Sequence, residues 1–448
     1  MRVAVIGSGP AGLFLGTALA RRGHLVTSVD RDGGPPPAGA WARRGVMQFP
    51  HAHAFRAPVR DALLAELPDA LDAWLRAGAE PAEVDLGGPR VLMGMRSQRV
   101  TFERALRETA ARQPGLTLVQ GHVQGVAARA GQATGIVVDG SELEADLVID
   151  ASGRSGRATR SLGRRRGVSG ACGITYVDRL YQLHPGAEPG PLVNVIAWQG
   201  DFDGYLSLVF VHERGIFSVL LLRPEADAEL ADLRHEAAFE AACRAIPALA
   251  AWTDPERSRP LSPVLVGGNL INQFRGQTDE EGRLLLGGLV FVGDSVCTTT
   301  PNFGRGVTTT LVQARELLRL VDEHGDDLDA VARAFDEWCD REMLPWVEDH
   351  IRMDDHTRDA WLGGDLDLGQ RIPSHLILAA AAVDPEIGAR IAPYLTMAGG
   401  PASLDPVEPR ARAVYETGWR PPFTPGPSAD ELRVIVRDAV ASGLELRR

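Results

Sequence analysis

The sequence contains no lysine: all 47 of its basic residues are arginine. No step that needs a lysine amine is open to it, neither a Schiff base nor the lysine of a phosphate-binding P-loop. Cysteine is scarce as well. Cys172, Cys243, Cys297 and Cys339 are scattered with no C-x-x-C pair, which argues against a zinc ribbon and a disulfide framework. Long apolar runs are missing: the longest, Leu376 to Val383, falls far short of the roughly 20 residues that cross a bilayer. No basic leader with a cleavage site is visible, so a cytoplasmic protein without a membrane span is expected. A basic excess is also lacking. The net charge of −12 argues against a general nucleic-acid binder.

What is present suffices for two or three domains: 448 residues, 44% apolar and 24% charged. Arg2 to Ile6 is a short β-rich run without polar alternation, suited to a strand buried on both faces. It leads into Gly7-Ser8-Gly9-Pro10-Ala11-Gly12 and then a helix-period stretch, Leu13 to Arg22. After Gly23 a second strand, Leu25 to Val29, ends at Asp30, with Arg31 following. This is a βαβ unit with G-x-G-x-x-G. Gly7 permits the tight turn, Gly9 lets the backbone approach a pyrophosphate, Gly12 lets helix and strand pack closely, and Asp30 stands where a ribose diol would be held. The motif predicts a dinucleotide and does not separate FAD from NAD.

A second constellation favours FAD. The strand Leu289 to Val292 runs into Gly293-Asp294-Ser295, then Pro301-Asn302-Phe303-Gly304-Arg305-Gly306, then a helical stretch from Val307. A carboxylate after a strand suits the ribitol hydroxyls of a flavin. A glycine-rich helix start offers free N–H groups and partial positive charge to the ring edge that becomes anionic on reduction.

These residues resemble the second FAD motif of the para-hydroxybenzoate hydroxylase and flavin-dependent halogenase superfamily. Asp146 to Ser155 resembles the aspartate-containing segment between the two motifs, and Arg99-x-x-Phe102-Glu103-x-x-Leu106-Arg107 the helix whose leading Arg touches the cofactor. Gly121-His122-Val123 is similar to the strand whose backbone meets the adenine. Arg43-Arg44-Gly45-Val46-Met47-Gln48, followed by His51-x-His53, is similar to a segment of actinobacterial hydroxylases and epoxidases of natural-product biosynthesis, and would run beside the flavin. The resemblance implies cofactor contacts from Gly7, Gly9, Pro10, Ala11, Gly12, Asp30, Arg31, Arg43, Arg44, Gln48, Arg99, Val123, Asp294, Pro301, Gly304, Gly306 and Val307. A zinc site is not expected, because His51 and His53 without further clustered ligands make a poor cage.

The implied fold is α/β: a doubly wound, Rossmann-like FAD domain from residues 1–75, 95–165 and 276–325, a β-sheet substrate domain over 166–275 with an excursion at 76–94, and a helical cap over 326–448. Strand-like runs at Asn194–Trp198, Leu206–Val211 and Ile216–Leu222 would form the cavity wall. Of Tyr176, Tyr181, Trp198, Tyr205, Phe210 and Phe217, period-2 patterning sends roughly half to the pocket. The run Arg157, Arg160, Arg164, Arg165, Arg166 reads as a solvated connector or as a phosphate site for NADPH. Helices are expected over Asp327–His350 and Ser428–Leu444, with Gly399–Pro427 as loop and the cap covering the cavity.

The activity implied is FAD-dependent monooxygenation of a small, mostly apolar or aromatic substrate by dioxygen through a flavin C4a-(hydro)peroxide. NADPH or NADH is the donor, used directly or through a partner flavin reductase. A flavin reductase or oxidase on the same scaffold is the alternative. Tryptophan-type halogenation is disfavoured, since the chain has no Lys and no W-x-W-x-I-P. A non-catalytic FAD-binding module is the remaining reading. No catalytic residue is identified from the sequence.

Overall fold

Five short strands form a parallel sheet in the spatial order Leu289–Phe291, Leu147–Asp150, Arg2–Ile6, Leu25–Asp30, Leu116–Gln120. They come from three stretches of chain far apart in sequence. The computed structural model describes residues 1–36, 39–43, 45–84 and 90–445, with side chains to 442. Leu147–Asp150 and Leu289–Phe291 are buried throughout, and Arg2–Ile6 after its first residue, as a sheet covered on both faces requires. Helix Pro10–Arg21 packs between helices Arg99–Ala111 and Gly306–His324, and a three-stranded antiparallel sheet (Val123–Arg129, Gln132–Val138, Ser141–Glu144) packs on Leu147–Asp150.

A second, six-stranded antiparallel sheet runs Ala197–Phe202, Tyr205–Val211, Ile216–Pro224, Ile174–Leu183, Ser258–Pro260, with Leu265–Gly267 also paired to Ile174–Leu183. The α/β class with a parallel sheet, added antiparallel sheets and a helical C-terminal region is therefore as expected. Side-chain alternation divides the six aromatic residues two to four rather than evenly. Tyr176 and Phe210 join Ile174, Leu206, Leu208, Leu220 and Leu222 on the face towards Ala54. Tyr181, Trp198, Tyr205 and Phe217 point the other way, into a core shared with helices Glu236–Ala245 and Pro247–Thr253.

Three local expectations are corrected. The strand expected at Asn194–Trp198 is Ala197–Phe202, because the Asn194 side chain takes the N–H groups of Ile196 and Ala197 and makes a turn first. The helix expected over Asp327–His350 is two helices, Leu328–Glu342 and Leu344–Trp361, broken where Pro345 withholds a donor. Within Gly399–Pro427 lies a helix, Glu408–Glu416, fixed by burial of Ala411 and Tyr415 and by the Tyr415 hydroxyl donating to the Leu376 carbonyl at 2.8 Å. The final helix, Ala429–Glu445, does not cover the cleft described below. Its buried residues Leu432 and Val436 pack with Glu236–Ala245 on the outward face of the six-stranded sheet. Among the described residues no helix is long and apolar enough to cross a membrane.

Gly12 is the contact on which the first βαβ unit closes. A Cβ there would stand 1.8 Å from the Gly7 carbonyl oxygen. Gly12→Ala is expected to destabilise the protein by about 3 kcal/mol, the upper end of overpacking costs. An unchanged urea midpoint in that variant would contradict this account of the contact.

Candidate active site

Two helices begin in one cleft of about 920 Å³ at the carboxyl ends of the parallel strands. Pro10–Arg21 starts after Gly9 and Gly306–His324 after Arg305, and neither has a side-chain cap on its first turn. Their leading N–H groups are therefore available, with the positive end of each helix dipole, to an acceptor in the cleft. The turns feeding them tolerate little change. Gly7 has φ +102° and a Cβ there would meet the Ala151 carbonyl oxygen at 2.7 Å; Gly304 has φ +61° and a Cβ would strike Ala54 at 2.4 Å. By contrast, a Cβ at Gly153 or Gly306 would meet nothing within 4 Å, so both glycines leave space in the cleft wall.

The cleft wall brings together Gly7, Gly9, Pro10, Ala11, Asp30, Arg31, Arg43, Gln48, Arg99, Val123, Asp294, Pro301, Gly304, Gly306 and Val307. Gly12 lies behind it, against Gly7, and Arg44 falls outside the described residues. The inward face of the six-stranded sheet closes the same space with Tyr176, and Leu270 joins it.

A chain of buried charge runs along one wall. Asp30 accepts from the Ser8 backbone N–H and from Arg43 Nη2, both at 2.7 Å. Arg43 Nη1 donates to Glu103 at 2.6 Å, and the other oxygen of Glu103 accepts from Arg99 Nε at 2.5 Å. Arg99 Nη1 then donates to His53 Nε2 at 3.1 Å, which leaves His53 Nδ1–H for the His51 carbonyl at 2.9 Å. Burial disfavours the Arg43 charge, but Glu103 and Asp30 outweigh it and the guanidinium stays protonated more firmly than usual. Burial, with Arg99 beside it, holds His53 well below the ordinary imidazole range, so it is neutral. Asp294 is raised by burial against the opposing pull of Arg99, Arg154 and Arg275, and its carboxylate bonds to no side chain or N–H among the described residues.

Several of these residues carried no legible role in sequence. Glu103 sits inside a helical motif, yet it is fully buried and joins two arginines. Asp178, on an antiparallel strand, holds His51 at 2.5 Å and was invisible because its partner lies more than a hundred positions away. The arginine run divides. Arg165 is drawn in over the Phe291 ring at 3.7 Å and donates to the carbonyls of Gly276 and Ser295; Arg166 pairs with Asp336 and Asp340. These two brace the fold, and only Arg157 of the run lines the cleft.

A buried polar atom without a protein partner calls for an explanation, and in a cleft wall a bound ligand is one. Arg43 Nε, Ser152 Oγ, Thr299 Oγ1 and Asn302 Oδ1 are such atoms, and the first three belong to cleft-lining residues. With two uncapped helices, a free carboxylate at Asp294 and open space at Gly153 and Gly306, the residues present fit a long dinucleotide such as FAD.

The chain has the fold of the FAD-dependent monooxygenases and halogenases. Among solved structures it is similar to the flavin-dependent brominase Bmp2, with a TM-score of 0.64 and 15% identity over 94% of this chain and 100% of that one. It is also similar to PqsL, a probable FAD-dependent monooxygenase from Pseudomonas aeruginosa (TM-score 0.55, 17% identity, 80% and 96% covered). A third is the tetrameric form of 2-methyl-3-hydroxypyridine-5-carboxylic acid oxygenase (TM-score 0.54, 17% identity, 81% and 91% covered). Residues 2–182 match the family model described as glucose inhibited division protein A. A thiamine thiazole synthase from Pyrobaculum neutrophilum is 34% identical over 161 residues, 34% of this chain; the match spans 56% of that relative's length.

Glu103 gives the site its test. Glu103→Ala leaves buried Arg99 without a carboxylate and Arg43 with Asp30 alone, and is expected to cost about 3 kcal/mol, the lower end of the range for breaking a buried pair from one side. Chemical denaturation reads the loss; a change below about 1 kcal/mol would mean that water reaches the pair.

Proposed function

We propose that the protein is an FAD-dependent monooxygenase that places one atom of dioxygen into a small, mostly apolar or aromatic substrate, by hydroxylation or epoxidation. The observation that carries this reading is the continuity of the cleft. It runs from Asp30 and the first helix N-terminus to Pro301–Gly306 and reaches Tyr176, Ala54 and Leu270, behind which the same apolar cluster continues with Leu206, Leu208, Phe210, Leu220 and Leu222. One end suits a dinucleotide; the other is backed by an apolar cluster, a setting that helps keep an activated oxygen species from water.

In this reading Asp30 holds the adenosine ribose, and the Gly7–Gly12 turn with its helix N–H groups holds the pyrophosphate. The Val123 backbone meets the adenine, and Asp294 takes the ribitol hydroxyls. Pro301, Gly304, Gly306 and Val307 flank the flavin ring, with Gln48, Arg43 and Arg99 beside it and Arg31 near the cleft mouth. The chemistry supplied by a bound flavin is two-electron reduction of dioxygen and transfer of one oxygen atom. The protein's own part is placement and exclusion of water, and no protein nucleophile is needed. Electrons come from NADH or NADPH, directly or through a partner flavin reductase; the sequence has no second dinucleotide fingerprint, which suits either route. Halogenation of the tryptophan type is disfavoured, because a chain without lysine has no amine to relay hypohalous acid.

Labelled dioxygen decides the reaction class. With FAD, a reducing supply and a panel of small aromatic and alkene substrates, one labelled oxygen atom is expected in the product. Turnover that leaves the product unlabelled would replace this reading with a flavin reductase or oxidase.

A further inference from the structure

His51, His53 and His212 stand near the inward end of the cleft, and they are not equivalent. His53 has its two ring nitrogens engaged by Arg99 and the His51 carbonyl, and His212 by the Ser97 carbonyl and the Ser218 hydroxyl. Burial keeps both below the ordinary imidazole range, His212 at about 4. His51 differs. Its Nδ1 donates to Asp178 Oδ1 across 2.5 Å, while Nε2 has no partner among the described residues and the side chain lines the cleft.

The support behind His51 is rigid. Asp178 is fully buried, and its other oxygen accepts from the Ala52 backbone N–H at 3.3 Å. Burial raises the Asp178 carboxyl, and the His51 and Ala52 hydrogen bonds oppose that rise. Tyr176, on the same strand face, sets its ring edge-on to the imidazole with centroids 5.2 Å apart. These contacts fix both the tautomer and the plane of the ring. A buried carboxylate–imidazole pair is costly to desolvate where apolar packing would serve as well, so its placement on a cavity wall calls for a use. With Nδ1 committed to a carboxylate, Nε2 is the ring nitrogen left for a ligand in the cleft.

We propose that His51 is a general base towards the substrate, with Asp178 as its positioning residue, and that the substrate is a small aromatic or enolic compound with an ionisable hydroxyl. This rests on the monooxygenase reading and narrows it to hydroxylation. In the step, the substrate O–H bond breaks and its proton moves to His51 Nε2. The electron pair stays on the substrate oxygen and enriches the ring carbon that receives the oxygen atom. The imidazolium is balanced by Asp178 until the proton returns to the product hydroxyl. The titratable and charged groups facing the pair are Tyr176 from the sheet, His53 on the same loop, and Arg99 and His212 behind His53.

The test uses the FAD-loaded full chain and two probes whose ionisation is read by absorbance, 4-nitrophenol and 2-naphthol. In the wild type, a bound probe is expected to ionise at least about one pH unit below its value in free solution, the size of shift a nearby opposite charge produces. His51→Gln should abolish the shift and Asp178→Asn should reduce it, with circular dichroism confirming that each variant is folded. A merely structural pair would lower the melting temperature of both variants and leave probe ionisation as in wild type, which overturns the proposal. Failure of both probes to bind FAD-loaded protein overturns it too. A chain that binds no FAD brings down the underlying reading instead, so the two failures are distinct.

Discussion

Two helix N-termini open into one cleft without side-chain caps, and much of the site answers to that constraint. Each uncapped helix exposes several backbone N–H groups together with the positive end of its dipole. Leaving them without acceptors in a walled cleft is unfavourable, so the arrangement favours an anionic or acceptor-rich ligand long enough to reach both. The glycines at 7 and 304, with positive φ, bring the chain from strand to helix within that space, and neighbouring backbone or Cβ atoms leave no room for a side chain. The two parallel strands that deliver these turns, Arg2–Ile6 and Leu289–Phe291, flank Leu147–Asp150 in the sheet, which is why motifs almost three hundred residues apart share a wall.

Electrostatics reinforce the geometry. The chain as a whole carries −12, yet its cleft is lined by Arg31, Arg43, Arg99, Arg154, Arg157 and Arg305. A positive cleft in a negative protein concentrates anionic ligands there and discourages them elsewhere. Glu103 pairs with two buried members of the row, Arg43 and Arg99, without itself lining the cleft. The same chain of contacts passes through His53 to the His51 loop, so the end of the cleft near Asp30 and the end near the apolar sheet face are mechanically joined.

The parallel sheet and the two glycine turns were legible in the sequence because their signals are local: a short apolar run, a fixed glycine spacing, an acid after the strand. Gly12 stands where close packing of helix and strand was expected, against Gly7 and Val5 and behind the cleft wall. What escaped was non-local. Asp178 and Glu103 look like ordinary charged residues in a strand and a helix, and only the fold brings them to His51 and to Arg43. The strand at Ala197–Phe202 was misplaced by a few residues and the helix break at Pro345 was missed, each for a local reason, an asparagine side chain and a missing N–H. The final helix was legible in the chain, expected at Ser428–Leu444 and found at Ala429–Glu445, but what it packs against was not, because an apolar stripe such as Leu432 and Val436 says that a face is buried and not against what.

The central claim is that one cleft holds a whole dinucleotide flavin, from Asp30 to Gly306. Equilibrium titration of the purified chain with FAD and, separately, with FMN tests it most directly. The account predicts one FAD per chain, bound at least about tenfold more tightly than FMN, a difference of about 1.4 kcal/mol, because FMN leaves the Asp30 end of the cleft empty. Equal affinity for the two flavins, or no binding of FAD, would contradict it.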